Sequence, residues 1–363
     1  MIMRKCDIFT EKKNYSYSCS VAISTYNGEE YIQKQLESLR NQSHMVDEVI
    51  ITDDGSSDKT VQIVQQFIDD NLLQGWHLIQ NSNNLGYTKN FEKCVSLCSG
   101  DIIFLCDQDD IWVTEKVQRV LEVFEKHSDC QSVVTNFKLI DAIGNSLVKS
   151  SKDNCWCYSK KMERLEDNLY RVDLTEVLNH NVAHGCTQAI KNELVKDFLN
   201  CKYATTHDYR LSLLASLNNA LYYIDEPLIM YRIHGKNNIG YPSFCLLRKN
   251  GDRFKIIKTY IIYFYNALRK NNQLEYHRTE KIEWLDNYFG ENMNVVRWVL
   301  FAKNREKLYS SEKNRVCYYI IQQIKYRREL KTVTFTNDRY ERFMLFVNDL
   351  AVLFEKDTTL LQK

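Results

Sequence analysis

Along the first third of the chain, apolar and polar positions follow two alternating rhythms. Short apolar runs at 21–25 (VAIST), 47–52 (DEVIIT), 76–80 (WHLIQ) and 102–106 (IIFLC) have the length and β-branched content of buried strands. Between them the apolar residues fall at helical spacing: Ile32, Leu36 and Leu39; Val61, Val64, Phe67 and Ile68; Val117, Leu121 and Phe124. Segment 88–98 reads the same way, with Cys94 and Cys98 four apart on one face, and Ser57 or Asp58 can cap the second helix. This β-α-β-α order predicts an α/β fold with a mostly parallel sheet and right-handed crossovers.

A polar cluster follows three of these strands: Ser24-Thr25-Tyr26-Asn27, Asp53-Asp54-Gly55-Ser56, and Asp107-Gln108-Asp109-Asp110. Parallel topology gathers all three at the carboxyl edge of the sheet, where open α/β sheets bind ligands. Asp-Asp-Gly-Ser alone is also a good turn sequence, so the shared position carries the argument. The carboxylates of Asp107, Asp109 and Asp110 repel one another and are costly to desolvate without a cation or water. A divalent metal explains them, and oxygen ligands without a His or Cys cluster favour Mg²⁺ or Mn²⁺ over Zn²⁺. A helix N-terminus following the loop would account for Asp109 or Asp110, but not for all three acids. The phosphate loop G-x-x-x-x-G-K-[ST] and the fingerprint G-x-G-x-x-G are missing, which disfavours an ATPase or a dinucleotide dehydrogenase.

A second constellation lies in 183–240. His207-Asp208 opens a helix whose apolar face is Leu211, Leu214 and Leu217. At neutral pH an unperturbed Asp is a carboxylate, able to act as general base toward a hydroxyl that becomes acidic during reaction. Capping the helix is the equally good structural reading. His234, in YRIHG, reads as structural when taken singly; beside a carboxylate-bound metal it becomes a further ligand or a diphosphate contact.

The ordered set SVAISTYNGEEYIQKQLESLRNQ, DEVIITDDGSSDKT, NNLGYTKNFEKC, GDIIFLCDQDDIW, HGCTQA, THDY and DEPLIMYRIHG resembles the family 2 glycosyltransferases, inverting enzymes of the GT-A fold. The DQDDIW form, with the late His-Asp and Tyr-Arg-x-His-Gly, is similar to the bacterial rhamnosyltransferase branch that builds surface polysaccharide. The resemblance covers about 19–240. It implies that Thr25, Tyr26 and Asn27 line the nucleotide base pocket and that Asp53 or Asp54 hydrogen-bonds the pyrimidine and ribose. Lys89 and Asn90, where many relatives carry Arg-Asn, and Gln108 of the acidic loop join the donor site. Asp107 meets ribose or metal, Asp109 binds the metal, Asp208 is the catalytic base, and His234 contacts metal or diphosphate. Tyr209-Arg210 and Gln188 depart from the family pattern, which bears on sugar specificity. The implied reaction is metal-dependent, inverting transfer of a sugar, rhamnose favoured, from a dTDP- or UDP-sugar to a saccharide, lipid-linked or glycoprotein acceptor. A metal-dependent sugar nucleotidyltransferase is the rival enzyme, but the glycine-rich basic N-terminal loop it needs is not seen. A non-catalytic partner subunit is the other alternative, and the intact Asp107, Asp109, Asp208 and His234 set argues against it.

Composition adds organisation. The 363 residues include 12 Cys without a C-x-x-C pair, only 2 Pro and 11 Gly, the profile of a helix-rich chain with reduced thiols. Residues 1–18 are polar and charged, and no apolar run reaches the length of about 18 residues that spans a membrane. A cytoplasmic protein is expected. Residues 245–331 carry 19 Lys/Arg against 9 Asp/Glu, a balance of +10, although the whole chain sums to +1. The expected organisation is an N-terminal extension (1–18), a catalytic domain (19–244) and a helical C-terminal region (245–363), basic to about 331. Amphipathic helices at 254–270 and 315–330 would dock on an anionic membrane, peripherally at its inner face, or form a helical subdomain or homodimer interface. No recognised nucleic-acid module accompanies the charge.

Overall fold

The computed structural model describes residues 15–147, 162–179, 181–201 and 206–234. The expected C-terminal helices, the whole of 245–363 and the first 14 residues of the N-terminal extension lie outside the described residues. In chain order the elements are β1 (Cys19–Thr25), α1 (Ile32–Arg40), β2 (Glu48–Asp53), α2 (Thr60–Asp70), β3 (Trp76–Gln80), α3 (Tyr87–Leu97), β4 (Ile102–Asp107), β5 (Ile111–Trp112) and α4 (Lys116–Lys126). They continue with β6 (Ser132–Ile140), β7 (Glu163–Glu166), β8 (Leu169–Arg171), α5 (Leu174–Asn179), β9 (Gln188–Lys191), α6 (Val195–Asn200), α7 (His207–Leu217) and β10 (Leu221–Arg232). Every strand and helix expected between 21 and 126 is present. One reading is corrected: neither Asp109 nor Asp110 caps a helix, because β5 follows them and α4 starts only at Lys116.

The described residues fall into two units. The first holds those up to Lys138 together with His184–Lys196 and Ala220–Arg232. Its sheet has the order β3-β2-β1-β4-β9-β6-β10, with β5 paired to β10. β2, β1 and β4 run parallel, as does β3 beside β2, whereas β9 is antiparallel to both β4 and β6. The parallel core reads as unbroken apolar sequence because helices cover both faces. Val21, Ala22, Ile23, Val49, Ile51 and Phe104 are fully buried, against Ile32, Leu36 and Leu39 of α1, Phe91 and Cys94 of α3, and Val117 and Leu121 of α4. Register places Thr25 opposite Asp53 and Ser24 opposite Asp107, so the three polar clusters do end side by side.

The second unit takes in the described residues of Leu139–Ala183 and Asp197–Asn219, and those from Ile233 on. It contains the β7–β8 hairpin and packs α5 on α7. The expected single apolar stripe of α7 is too narrow a description, since every residue from His207 to Ser216 is buried. A helix buried all round belongs to a core rather than a surface.

Candidate active site

Most acids and amides at the sheet edge are engaged by the chain itself. Asp53, 1% exposed, accepts the Thr25 hydroxyl at 2.9 Å and the Ser56 hydroxyl at 2.5 Å on Oδ1. Its Oδ2 accepts the backbone N–H groups of Gly55 (3.1 Å) and Ser56 (2.8 Å), so its first task is to close its own turn. Gly55 supplies the φ of +82° which that turn requires. Asp54, equally buried, fastens a different loop: Asn81 Nδ2 and the Leu85 N–H donate to Oδ1, and the Gly86 N–H donates to Oδ2, at 2.7–2.9 Å. Asn90 is fully buried; its Nδ2 donates to Ser24 Oγ (2.7 Å) and the Thr52 carbonyl (2.9 Å), and its Oδ1 accepts from Asn81 (2.8 Å). Asn27, at φ +47°, accepts the Ser57 N–H at 2.8 Å. Buried polar groups need such partners, and here the partners lie in neighbouring loops. Tyr26 (49% exposed) and Lys89, in the first turn of α3, are left facing solvent.

The acidic loop is built differently. Gln108 pairs with the main chain of Tyr26 in both directions, its Oε1 accepting at 2.9 Å and its Nε2 donating at 3.0 Å, and so ties the tip of β4 to that of β1. A side chain at Gly28 would collide with this latch, because a Cβ there would lie 2.3 Å from Gln108 Oε1. Arg232, fully buried at the end of β10, donates its backbone N–H to Asp110 Oδ1 (2.9 Å) and its Nε to the Asp109 carbonyl (2.7 Å). Asp110 Oδ2 is buried with no hydrogen-bond partner.

Asp107, Asp110 and Cys186 each bring one ligand atom to within 4.8 Å of the others. Asp109, the ligand expected from sequence, is half-buried in the same loop and is not part of this trio. Burial, followed by the charges of Asp109 and Asp107, pushes the Asp110 carboxyl well above its ordinary range, with the Arg232 amide and the Cys186 thiol opposing. Burial likewise raises the Cys186 thiol, so it is protonated at neutral pH. An orphaned carboxylate oxygen beside a second carboxylate fits a hard cation such as Mg²⁺ or Mn²⁺; a neutral thiol does not add a ligand for either. Beneath the loop, Lys116 is fully buried, donates from Nζ to the Cys186 carbonyl at 2.8 Å and lies 3.6 Å from the Trp112 ring centroid. Burial lowers its pKa to about 8, against the opposing pull of Cys106, Cys186, Asp110 and Asp107, so the ammonium persists at pH 7.

Asp208 and His234 belong to the second unit. Asp208 sits in the first turn of α7, buried, with Oδ2 accepting from Asn181 Nδ2 (2.9 Å) and Oδ1 from the Tyr209 N–H (2.8 Å). His234 is half-buried just beyond β10. Of the residues that depart from the family pattern, Arg210 stacks 4.7 Å over Phe198 and Tyr209 is buried. Gln188, in the first unit, is buried and donates to Ser132 Oγ at 3.0 Å. Sequence reasoning missed Lys116, Arg232, Cys186 and the burial of Asp110. A lysine at the head of an apolar helical stripe, four residues after Trp112, was the available signal.

Residues 20–199 match the family model described as glycosyl transferase family 2. The dTDP-rhamnosyl transferase RfbG of Shigella flexneri is 29% identical over 313 residues, 79% of this chain and 96% of that protein. The uncharacterized glycosyltransferase RT0329 of Rickettsia typhi is 27% identical over 229 residues, 62% of this chain and 66% of that one. Among solved structures, S. aureus TarS 1–349 in complex with UDP-GlcNAc aligns with a TM-score of 0.50 at 15% identity, covering 95% of this chain and 92% of that one.

Proposed function

We infer the reaction from one premise: residues 20–199 make this chain a family 2 glycosyltransferase, of the GT-A fold. It moves a sugar, rhamnose first among the candidates, from a dTDP- or UDP-sugar to a hydroxyl of a saccharide, lipid-linked or glycoprotein acceptor. Similarity to a dTDP-rhamnosyl transferase over 96% of that protein's length supports the choice of sugar. The observation that carries the reading is the acidic pair of half-buried Asp107 and buried Asp110 at the carboxyl edge of a parallel sheet.

Asp107 and Asp110, with Asp109 from the same loop, would hold a divalent cation, Mg²⁺ or Mn²⁺. When bound, it supplies positive charge where the departing diphosphate becomes more negative. The chain's own residues do the rest. Tyr26 offers an exposed ring for the base, and Lys89 brings a positive charge to the diphosphate side, with His234 as a further contact. Thr25, Asn27, Asp53, Asp54, Asn90 and Gln108 hold the loops of the pocket in register through the hydrogen bonds described above. Asp208 takes the acceptor hydroxyl's proton as its oxygen bonds the anomeric carbon. The opposite bond, to the phosphate oxygen, breaks and its electron pair leaves with the nucleoside diphosphate, inverting the centre in one displacement.

Asp208→Asn is expected to lower transfer by about 10²–10⁴-fold, the usual contribution of a general base, with donor affinity within about twofold of wild type. Full activity in that variant would remove Asp208 from the mechanism. In the same assay the released product is nucleoside diphosphate; pyrophosphate would instead identify a nucleotidyltransferase.

A further inference from the structure

Asp208 divides its two oxygens between two tasks. Oδ1 accepts the Tyr209 N–H at 2.8 Å, one of the first-turn groups of α7 that no helical carbonyl can take, which is the capping work of an acid in that place. Oδ2 meets a side chain from 27 residues earlier: the Asn181 amide, half-buried, donates to it from Nδ2 at 2.9 Å. Asn181 is itself held, because its Oδ1 accepts the Ala183 N–H at 3.1 Å, and turning the amide over would set its NH₂ against that N–H. All of these residues belong to the second unit. Two donors on different oxygens, from different segments, fix the plane of the carboxylate. The chemistry of the second donor matters too. An acid that only braces a loop is served at least as well by Arg or Lys, but a full positive charge would make it a weaker base. A neutral amide holds the carboxylate and leaves its charge uncompensated, and each oxygen keeps a second lone pair for a proton.

We propose that Asn181 is a positioning residue for the transfer step: its amide clamps Asp208 in the orientation from which the carboxylate takes the acceptor's proton. The inference rests on the assignment of Asp208 as general base given above. The proton still passes from the acceptor hydroxyl to an Asp208 oxygen; Asn181 neither gives nor takes one. The 181–183 segment carries no other titratable group. The remaining titratable or charged side chains of α7, and of α5 packed on it, are His207, Tyr209, Arg210 and Glu176, and the variants below leave them untouched.

The test is steady-state kinetics of the full chain in Mn²⁺, following nucleoside diphosphate released from dTDP-rhamnose, or from UDP-glucose if only that donor is turned over, with water as acceptor. Asn181→Ala should lower kcat about 10–100-fold while KM for the donor stays within about twofold. The same change should cost little more in an Asp208→Asn background, since two parts of one device are not additive. Asn181→Asp, of equal size, sets a second carboxylate against Oδ2. One of the pair then holds a proton at higher pH, so the acidic limb of the kcat profile should move up by about one unit or more, with rate regained at alkaline pH. An unchanged kcat in Asn181→Ala, or a loss in Asn181→Asp that is equal at every pH, would overturn the proposal. Thermal unfolding checks that both variants fold; if Asn181→Ala does not, the pH profile of Asn181→Asp decides alone. Either overturning result beside an inactive Asp208→Asn removes Asn181 only, whereas full activity of Asp208→Asn defeats the base and this role with it.

Discussion

Asp110 accepts the Arg232 N–H through Oδ1, its buried Oδ2 has no partner at ordinary hydrogen-bond geometry although the Cys186 thiol lies against the carboxyl, and two further carboxylates are close by. Because burial raises its folded-state pKa above the unfolded value, the uncharged form is favoured on folding. Its contribution is fully present below the ordinary Asp range and is lost as pH climbs through the raised value. The metal-free protein should therefore lose stability as pH rises above about 4. Asp110→Asn, neutral and of equal size, should flatten that dependence, raise the melting temperature at pH 8 in EDTA and abolish stabilisation by Mn²⁺. Each kcal/mol recovered is worth about 2–4 °C for a chain of this class. A lower melting temperature than wild type at pH 8 would show that the carboxylate is satisfied. Asp53, Asp54 and Asn90 teach the complementary lesson. Their types and places suggested ligand contacts, but latching loops and binding a nucleotide call for the same short polar side chains. Sequence could locate them and could not apportion the two tasks.

At the scale of elements, the parallel part of the sheet was readable because strands covered on both faces must be apolar throughout. The antiparallel additions were not. β9 is four residues long and opens with Gln188, whose buried amide bonds Ser132 where β6 begins, so neither segment announces itself as a continuous apolar run. In α7 the buried faces include His207, Asp208, Arg210, Ser212 and Ser216, which a search for a single apolar stripe assigns to solvent. Asn90 makes the coupling between elements testable. It joins β1 through Ser24, β2 through Thr52 and the loop after β3 through Asn81. Asn90→Ala removes hydrogen bonds to buried Thr52 and Asn81 and to half-buried Ser24, and should cost about 2–4 kcal/mol of unfolding free energy, seen as a lower urea midpoint. A loss below about 0.5 kcal/mol would mean that the amide is not the tie between these elements.

For the whole molecule, the charge balance of +10 over 245–331 remains a sequence-level expectation of membrane attachment or self-association, on residues outside those described. No helix among the described residues is long and apolar enough to cross a membrane. What the fold does establish is a carboxyl edge at which Thr25, Asp53 and Asp107 stand in adjacent strands, and a donor site there should depend on the cation as much as on the protein. Calorimetric titration of the full chain with dTDP and with UDP, in Mn²⁺ and again in EDTA, tests this most directly. The account predicts that at least one nucleotide binds in Mn²⁺ and that its affinity falls at least tenfold in EDTA. Equal affinity under both conditions would contradict it.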